Sequence, residues 1–226
     1  MSLSSMSDLS TARQNMVDCQ VRPSDVTDIR IIDAMLAVPR EAFVPEPLRA
    51  MAYLDLDLDV SAAGSPRRCL IKAAVLAKML QAAEVTDIDN VLVVGCATGY
   101  TAAVVAKLAA RVTATESDPD LAAKARDILA RLGSANVTVR AAAAAEGDPA
   151  GAPYDVIVLD GATEITPDGL YRQLKEGGRL VGVFATTQPP RAAIVTRSRD
   201  DFGHRALFDA TVPVLPGLER VPAFVF

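Results

Sequence analysis

The residues best placed by type and spacing to do chemistry lie in Val91–Tyr100, VLVVGCATGY. A run of four apolar residues stops at Gly95, and Gly99 follows four positions later, with Cys96, Ala97 and Thr98 between them and Tyr100 after. The pattern predicts a buried strand, a tight turn, and a helix opening near Thr98. Such a turn lets a ligand approach the backbone and aims helix N–H groups at it. Spacing then narrows the ligand. A dinucleotide fingerprint wants glycines at i, i+2 and i+5. Here those positions hold Gly95, Ala97 and Tyr100, and the bulk of Tyr100 would crowd a pyrophosphate. The Gly-Lys-Ser/Thr ending of a P-loop is missing as well. The spacing fits better the turn that S-adenosylmethionine-dependent methyltransferases use, although glycines also follow strands in many αβ proteins.

Two carboxylates fall where a ligand at that turn would need them. Glu116 follows RVTAT, one turn-helix-strand unit beyond Gly95, where an acid can accept both ribose hydroxyls. Alternatively, Glu116 and Asp118 precede a helix starting near Pro119, and Asp118 suits the capping role. Asp160, in DVIVLDGA, ends another apolar run beside Gly161, at the switch point where ligands of parallel sheets sit. The acids of LDLDLDV, residues 54–60, alternate with apolar residues. No further ligands are evident, so they read as a solvated strand face rather than a metal site. The single His204 cannot build a His-rich metal centre, and with Ser198 and Asp200 it forms no recognisable triad. No metal is expected.

Periodicity supplies the elements that must hold these groups. Leu9, Ala12, Met16 and Val17 predict a helix within residues 8–21, and a second is expected over 26–37, ended by Pro39. Residues 54–60 read as a half-buried strand and 70–83 as an apolar helix. Strands are then expected over 91–95, 111–115, 136–140, 154–159 and 179–184, with helices over 99–109, 118–132 and 167–174. That alternation predicts an α/β protein with a parallel sheet covered on both faces. The tail from Ala192, punctuated by Pro213, Pro216 and Pro222, should add two or three strands, the last inserting antiparallel.

At 226 residues, half of them apolar, the chain can form one substantial domain with a small cap. No apolar run approaches the ~18 residues of a membrane span. The net charge of −5 argues against a nucleic-acid partner. The opening MSLSSMSDLS has neither the basic nor the apolar region of a secretory leader. The three scattered cysteines, Cys19, Cys69 and Cys96, form no CxxC pair or disulfide framework, so a reduced, cytoplasmic protein is expected.

With AMLAVPREAFVPE (34–46), AYLDLDLDV (52–60), VLVVGCATGYTAAVVAKLA (91–109), APYDVIVLDGA (152–162) and LYRQLKEGGRLV (170–181), the chain resembles the protein-L-isoaspartate O-methyltransferases. The resemblance implies a seven-stranded, mostly parallel, Rossmann-like methyltransferase sheet with an antiparallel C-terminal strand. Residues 86–226 would bind S-adenosylmethionine and residues 1–85 would form a helical cap. The implied reaction methylates the carboxylate of isoaspartyl residues in damaged proteins or peptides; a small carboxylate acceptor is the alternative. A carboxylate is already ionised at neutral pH and needs no general base. Binding, in-line orientation and exclusion of water remain for the protein.

By the same resemblance, Gly95, Cys96, Ala97, Thr98, Gly99 and Tyr100 surround the methionine portion of the cofactor. Glu116 and Ser117 meet the ribose, Ala143 and Ala144 pass the adenine by backbone, and Asp160 and Gly161 line the reaction mouth. The family's Thr-Ile-Ser-Gln-Pro falls on Cys69-Leu70-Ile71-Lys72-Ala73, which puts Ile71 where the family has the serine at the substrate carboxylate. Isoleucine cannot hydrogen-bond a carboxylate; Lys72 either attracts it or faces solvent. Ala97 replaces a glycine, which is tolerable at negative φ. Val93 replaces a glutamate, and Ala143 an aspartate for which Glu146 is the only nearby substitute. Each lost hydrogen bond to a charged partner costs ~1.5–3 kcal/mol. A catalytically impaired homologue that binds or regulates is therefore the competing expectation.

Overall fold

The computed structural model describes residues 3–221, with side chains from Asp8 onward. Helix α1 (Leu3–Met16) runs on through a wide turn at Val17–Val21 and a tight one at Arg22–Ser24. Helix α2 (Ile29–Ala37) starts later than its apolar pattern. The Gln81 carboxamide oxygen takes the N–H groups of Thr27 and Asp28, and the Asp28 side chain caps Arg30 N–H. Short helical turns follow at Arg40–Phe43 and Glu46–Met51.

The alternating segment 54–60 forms much less strand than expected. Only β1 (Leu58–Asp59) pairs, antiparallel to β2 (Cys69–Leu70). Upstream, Leu54 N–H and Leu56 N–H close local turns, and Leu54 is exposed. The acids are tied locally: Asp57 accepts from Lys72 N–H, and Asp59 from Ser61 N–H. Helix α3 (Ala73–Ala83) begins after β2, three residues beyond the expected start at 70, because Cys69 and Leu70 are committed to that pairing.

The rest of the chain gives β3 (Asn90–Val94), α4 (Tyr100–Val105), β4 (Arg111–Glu116), α5 (Pro119–Arg131), β5 (Val137–Ala141), β6 (Tyr154–Thr163), α6 (Asp168–Tyr171), β7 (Leu174–Phe184), β8 (Arg191–Ser198) and β9 (Asp201–Asp209). Seven of these strands form one sheet in the order β5-β4-β3-β6-β7-β8-β9. Strands β3 to β7 are parallel; β8 is antiparallel to β7, and β9 to β8. The last described strand, β9, therefore lies at the edge and does not insert; the tail beyond residue 221 lies outside the described residues. Ser198 pairs with Asp201 across a two-residue turn containing Arg199 at φ 57°, and so short a hairpin keeps its strands adjacent.

Fully buried β3 feeds both faces. Val91 and Val93 enter the core beneath α3 and α4, while Leu92 and Val94 meet Tyr154, Leu170 and Leu215 on the other side. The chain winds outward from β3 in one direction and from β6 in the other, so the carboxyl ends of β3 and β6 flank the switch-point crevice.

The N-terminal segments reach this crevice through Arg40, a fully buried guanidinium that donates to the carbonyls of Ala52, Leu70 and Ile71. It also lies 4.6 Å from the centre of the Tyr100 ring. Arg40→Met preserves bulk but orphans buried carbonyls, so it should cost on the order of 3 kcal/mol in urea unfolding. A loss below about 1 kcal/mol would show that other donors or water satisfy them.

Candidate active site

The glycine turn is built by backbone conformation. Gly95 and Gly99 have φ of +75° and +98°, and the N–H groups of Gly95 and Cys96 both donate to Thr115 O, at 2.8 and 2.9 Å. Gly99 also packs tightly: a Cβ there would lie 3.1 Å from Leu129 and 3.3 Å from Ala125. Ala97 departs from expectation, with φ at +48° rather than negative. Its N–H donates to the Glu116 carboxylate, 2.7 Å away. Thr98 Oγ1 donates to Phe43 O. Tyr100 turns away from the turn, edge-on to Phe43 at 5.6 Å, so its bulk does not crowd a ligand at Gly95. Cys96 is wholly buried, and burial pushes its thiol well above the ordinary value.

Glu116 ends β4 with no solvent exposure. Besides Ala97 N–H, it accepts from the N–H groups of Ser117 and Asp118 and from the Arg68 guanidinium, whose Nη2 lies 2.9 Å away. Burial opposes ionisation, yet Arg68 and these N–H groups hold the carboxyl below its usual range. Asp118 caps α5 through Asp120 N–H and Leu121 N–H. Of the two acids, Asp118 is therefore the one that caps α5. Arg68 Nη2 also donates to Gly95 O, so one buried side chain spans the turn and the acid.

The other side of the crevice holds Asp160, Gly161 and Leu215. Residues 213–218 lie along the extended end of β6: Ala162 N–H donates to Pro213 O, Leu215 N–H to Ala162 O, and Glu164 N–H to Leu218 O. Leu215 Cδ2 would sit only 2.6 Å from a Cβ placed on either Gly95 or Gly161. It therefore occupies the space directly over both glycines. Asp160 is buried, and neither of its oxygens has a hydrogen-bond partner of good geometry. Burial pushes its carboxyl up to about 7, against the pull of the Thr101 hydroxyl and of Arg68 and Arg40.

The remaining predicted positions scatter. Ile71 is buried, and its carbonyl is held by Arg40. Lys72 is half-buried at the start of α3. Ala142 N–H donates to Glu116 O, which brings this loop beside the acid; Ala143 and Glu146 are exposed and Ala144 buried. Val93 lies in the core, and His204 is on the exposed edge strand. Among the described residues, no cluster of His, Cys, Asp and Glu could hold a metal ion.

The family model "Protein-L-isoaspartate(D-aspartate) O-methyltransferase" matches residues 11–202. The chain belongs to that family. A protein-L-isoaspartate O-methyltransferase from Rhodopseudomonas palustris is 38% identical over 206 residues, 90% of this chain and 93% of that one. A Methanoculleus marisnigri relative of the same name is 38% identical over 169 residues, 75% of each chain. The fold agrees with solved structures. One protein-L-isoaspartate O-methyltransferase superposes with a TM-score of 0.81 at 24% identity, covering 92% of this chain and 67% of that one. A Plasmodium falciparum structure reported under that family name, in complex with S-adenosyl-L-homocysteine, gives 0.75 at 17% identity, covering 92% and 97%. The family uses S-adenosylmethionine. In this member the N–H groups of Gly95, Cys96, Ala97 and Gly99 and the Glu116 carboxylate are all hydrogen-bonded within the protein, while Asp160 has buried unpartnered oxygens. The space over Gly95 and Gly161 is taken by Arg68 and Leu215.

Arg40, Arg68 and Leu215 were not among the residues the sequence singled out. The arginines sit in VPREAFV and SPRRCL, where nothing distinguishes a buried guanidinium from a solvated one.

Asp160 carries a testable pH signature. Its folded value of about 7 exceeds the ordinary aspartate value of 3.8, so stability is full below the lower value and is lost as pH rises through the upper one. Between them the loss runs at roughly 1.4 kcal/mol per pH unit. Asp160→Asn should abolish that slope in urea unfolding followed from pH 4 to pH 8. Parallel curves for the two proteins would contradict it.

Proposed function

We propose that this chain is an S-adenosylmethionine-dependent carboxyl O-methyltransferase acting on isoaspartyl residues of damaged proteins. Beyond family membership, the reading is carried by Glu116. It ends β4 within hydrogen-bonding distance of Ala97 N–H in the glycine turn, beside the switch point of the parallel sheet. When bound, the cofactor supplies an activated methyl group. The chain's own part is to hold and orient. Glu116 and Ser117 would receive the ribose, the Gly95–Tyr100 turn the methionine portion, and the Ala143–Ala144 backbone the adenine. Asp160 and Gly161 would line the mouth, with Ile71 and Lys72 marking the acceptor side.

Residues 1–85 then serve as the cap over a binding domain formed by 86–226. Arg40 supports this reading by joining the cap's backbone to Tyr100. The free thiols of Cys19, Cys69 and Cys96 fit the reducing cytoplasm expected from the sequence. No helix among the described residues is long and apolar enough to cross a membrane.

One observation favours a second reading, a homologue that binds without turning over: Ile71 brings no polar side-chain atom to the acceptor position. Methyl transfer from labelled S-adenosylmethionine to an isoaspartyl peptide separates the two, with the normal aspartyl peptide as control. The proposed function predicts label in the isoaspartyl peptide alone, released as methanol in base. Binding of S-adenosylhomocysteine without any label transfer would leave the second reading.

A further inference from the structure

The geometry points to Arg68 and Leu215 as an internal plug that holds the cofactor seat shut and sets how tightly this chain binds S-adenosylmethionine. The inference rests on the cofactor dependence proposed above.

Three observations carry it. First, the two side chains meet over one spot: a Cβ built on Gly95 would lie 2.6 Å from Leu215 Cδ2 and 2.7 Å from Arg68 Nη2. A ligand group cannot pack on that glycine while either side chain stays. Second, Arg68 uses the very acceptors a ligand would need. It donates to both oxygens of Glu116 and to Gly95 O, so the acid's hydrogen-bonding capacity is already taken up by Arg68 and three N–H groups. Third, the neighbouring Asp160 is left with two buried oxygens and no donor of good geometry. A crevice whose one acid is saturated from within while the other is orphaned is plugged rather than designed to be solid. Unpartnered buried carboxylate oxygens are costly.

Both plug residues sit on short connecting segments outside the seven-stranded sheet. Arg68 follows the mostly exposed stretch 62–67, where Gly64 has φ +84° and nothing within 4 Å of a built Cβ; its own backbone is held by Val60 N–H and Ser61 Oγ. Leu215 belongs to the 213–218 segment, which three backbone hydrogen bonds join to the end of β6, which buries Leu215 and Leu218, and which contains Gly217 at φ +88°. Neither stretch takes part in the pairing of β3 with β4 and β6. The seat is then populated in the open form only part of the time, and the apparent dissociation constant is the intrinsic one divided by that fraction.

Calorimetric titration with S-adenosylhomocysteine tests the plug without requiring turnover, using the wild-type chain, Arg68→Gln and Leu215→Ala. Circular dichroism confirms folding of each. Gln keeps a donor for Glu116 but is too short to span to Gly95; should it fail to fold, Leu215→Ala tests the same seat without touching the ion pair. The expected result is a tightening of at least tenfold in each folded variant. Equal affinity in wild type and variants overturns the plug and leaves the cofactor dependence standing. Weaker binding by Arg68→Gln also overturns it, by making Arg68 a cofactor ligand. No binding by any folded protein overturns both.

Discussion

The ion pair between Arg68 and Glu116 is the interaction on which the functional half of this molecule turns. Both side chains are almost completely withdrawn from water, with side-chain exposures of 3% and 0%. Burying two charges costs several kcal/mol per ion unless the geometry and the accompanying hydrogen bonds repay it. Here the guanidinium reaches both carboxylate oxygens, and the N–H groups of Ala97, Ser117 and Asp118 also donate to them. Ala97, whose N–H is one of those donors, holds a left-handed conformation. The acid, the turn and the arginine are one unit.

Much of the scaffold was legible in the sequence because burial on both faces leaves a strong signal. The apolar runs of β3 and β6 could only be interior parallel strands, and the turn after β3 announced itself through Gly95 and Gly99. Misreadings arose where local hydrogen bonding overrode periodicity. Segment 54–60 alternates as a strand should, but with only β2 available for pairing most of it curls into turns. The tail's strands read as inserting, yet the two-residue connection at Arg199 and Asp200 fixes β9, the last described strand, beside β8. Hydrophobic pattern says little about such connections.

The site was less legible than the fold. Glu116 and Asp118 are both acids near a helix start, and only coordinates separate the buried acceptor from the cap. Arg68 and Leu215 are remote in sequence from the turn they cover and belong to segments that read as loop and tail. A buried arginine has the same letter as a solvated one; its partner is set by tertiary approach across 48 positions. What the sequence did expose was the apolar character of Val93, Ile71 and Ala143. The structure adds a buried guanidinium, that of Arg68, placed over the turn.

Family membership and a filled seat are compatible if the filling is exchangeable. Hydrogen–deuterium exchange of the full chain, with and without saturating S-adenosylhomocysteine, addresses that most directly. Exchange in 61–68 and 213–218 should accelerate on ligand binding while β3 and β4 slow. Unchanged or increased protection of those two segments at saturation would show that the ligand binds without displacing Arg68 and Leu215, and would contradict the account.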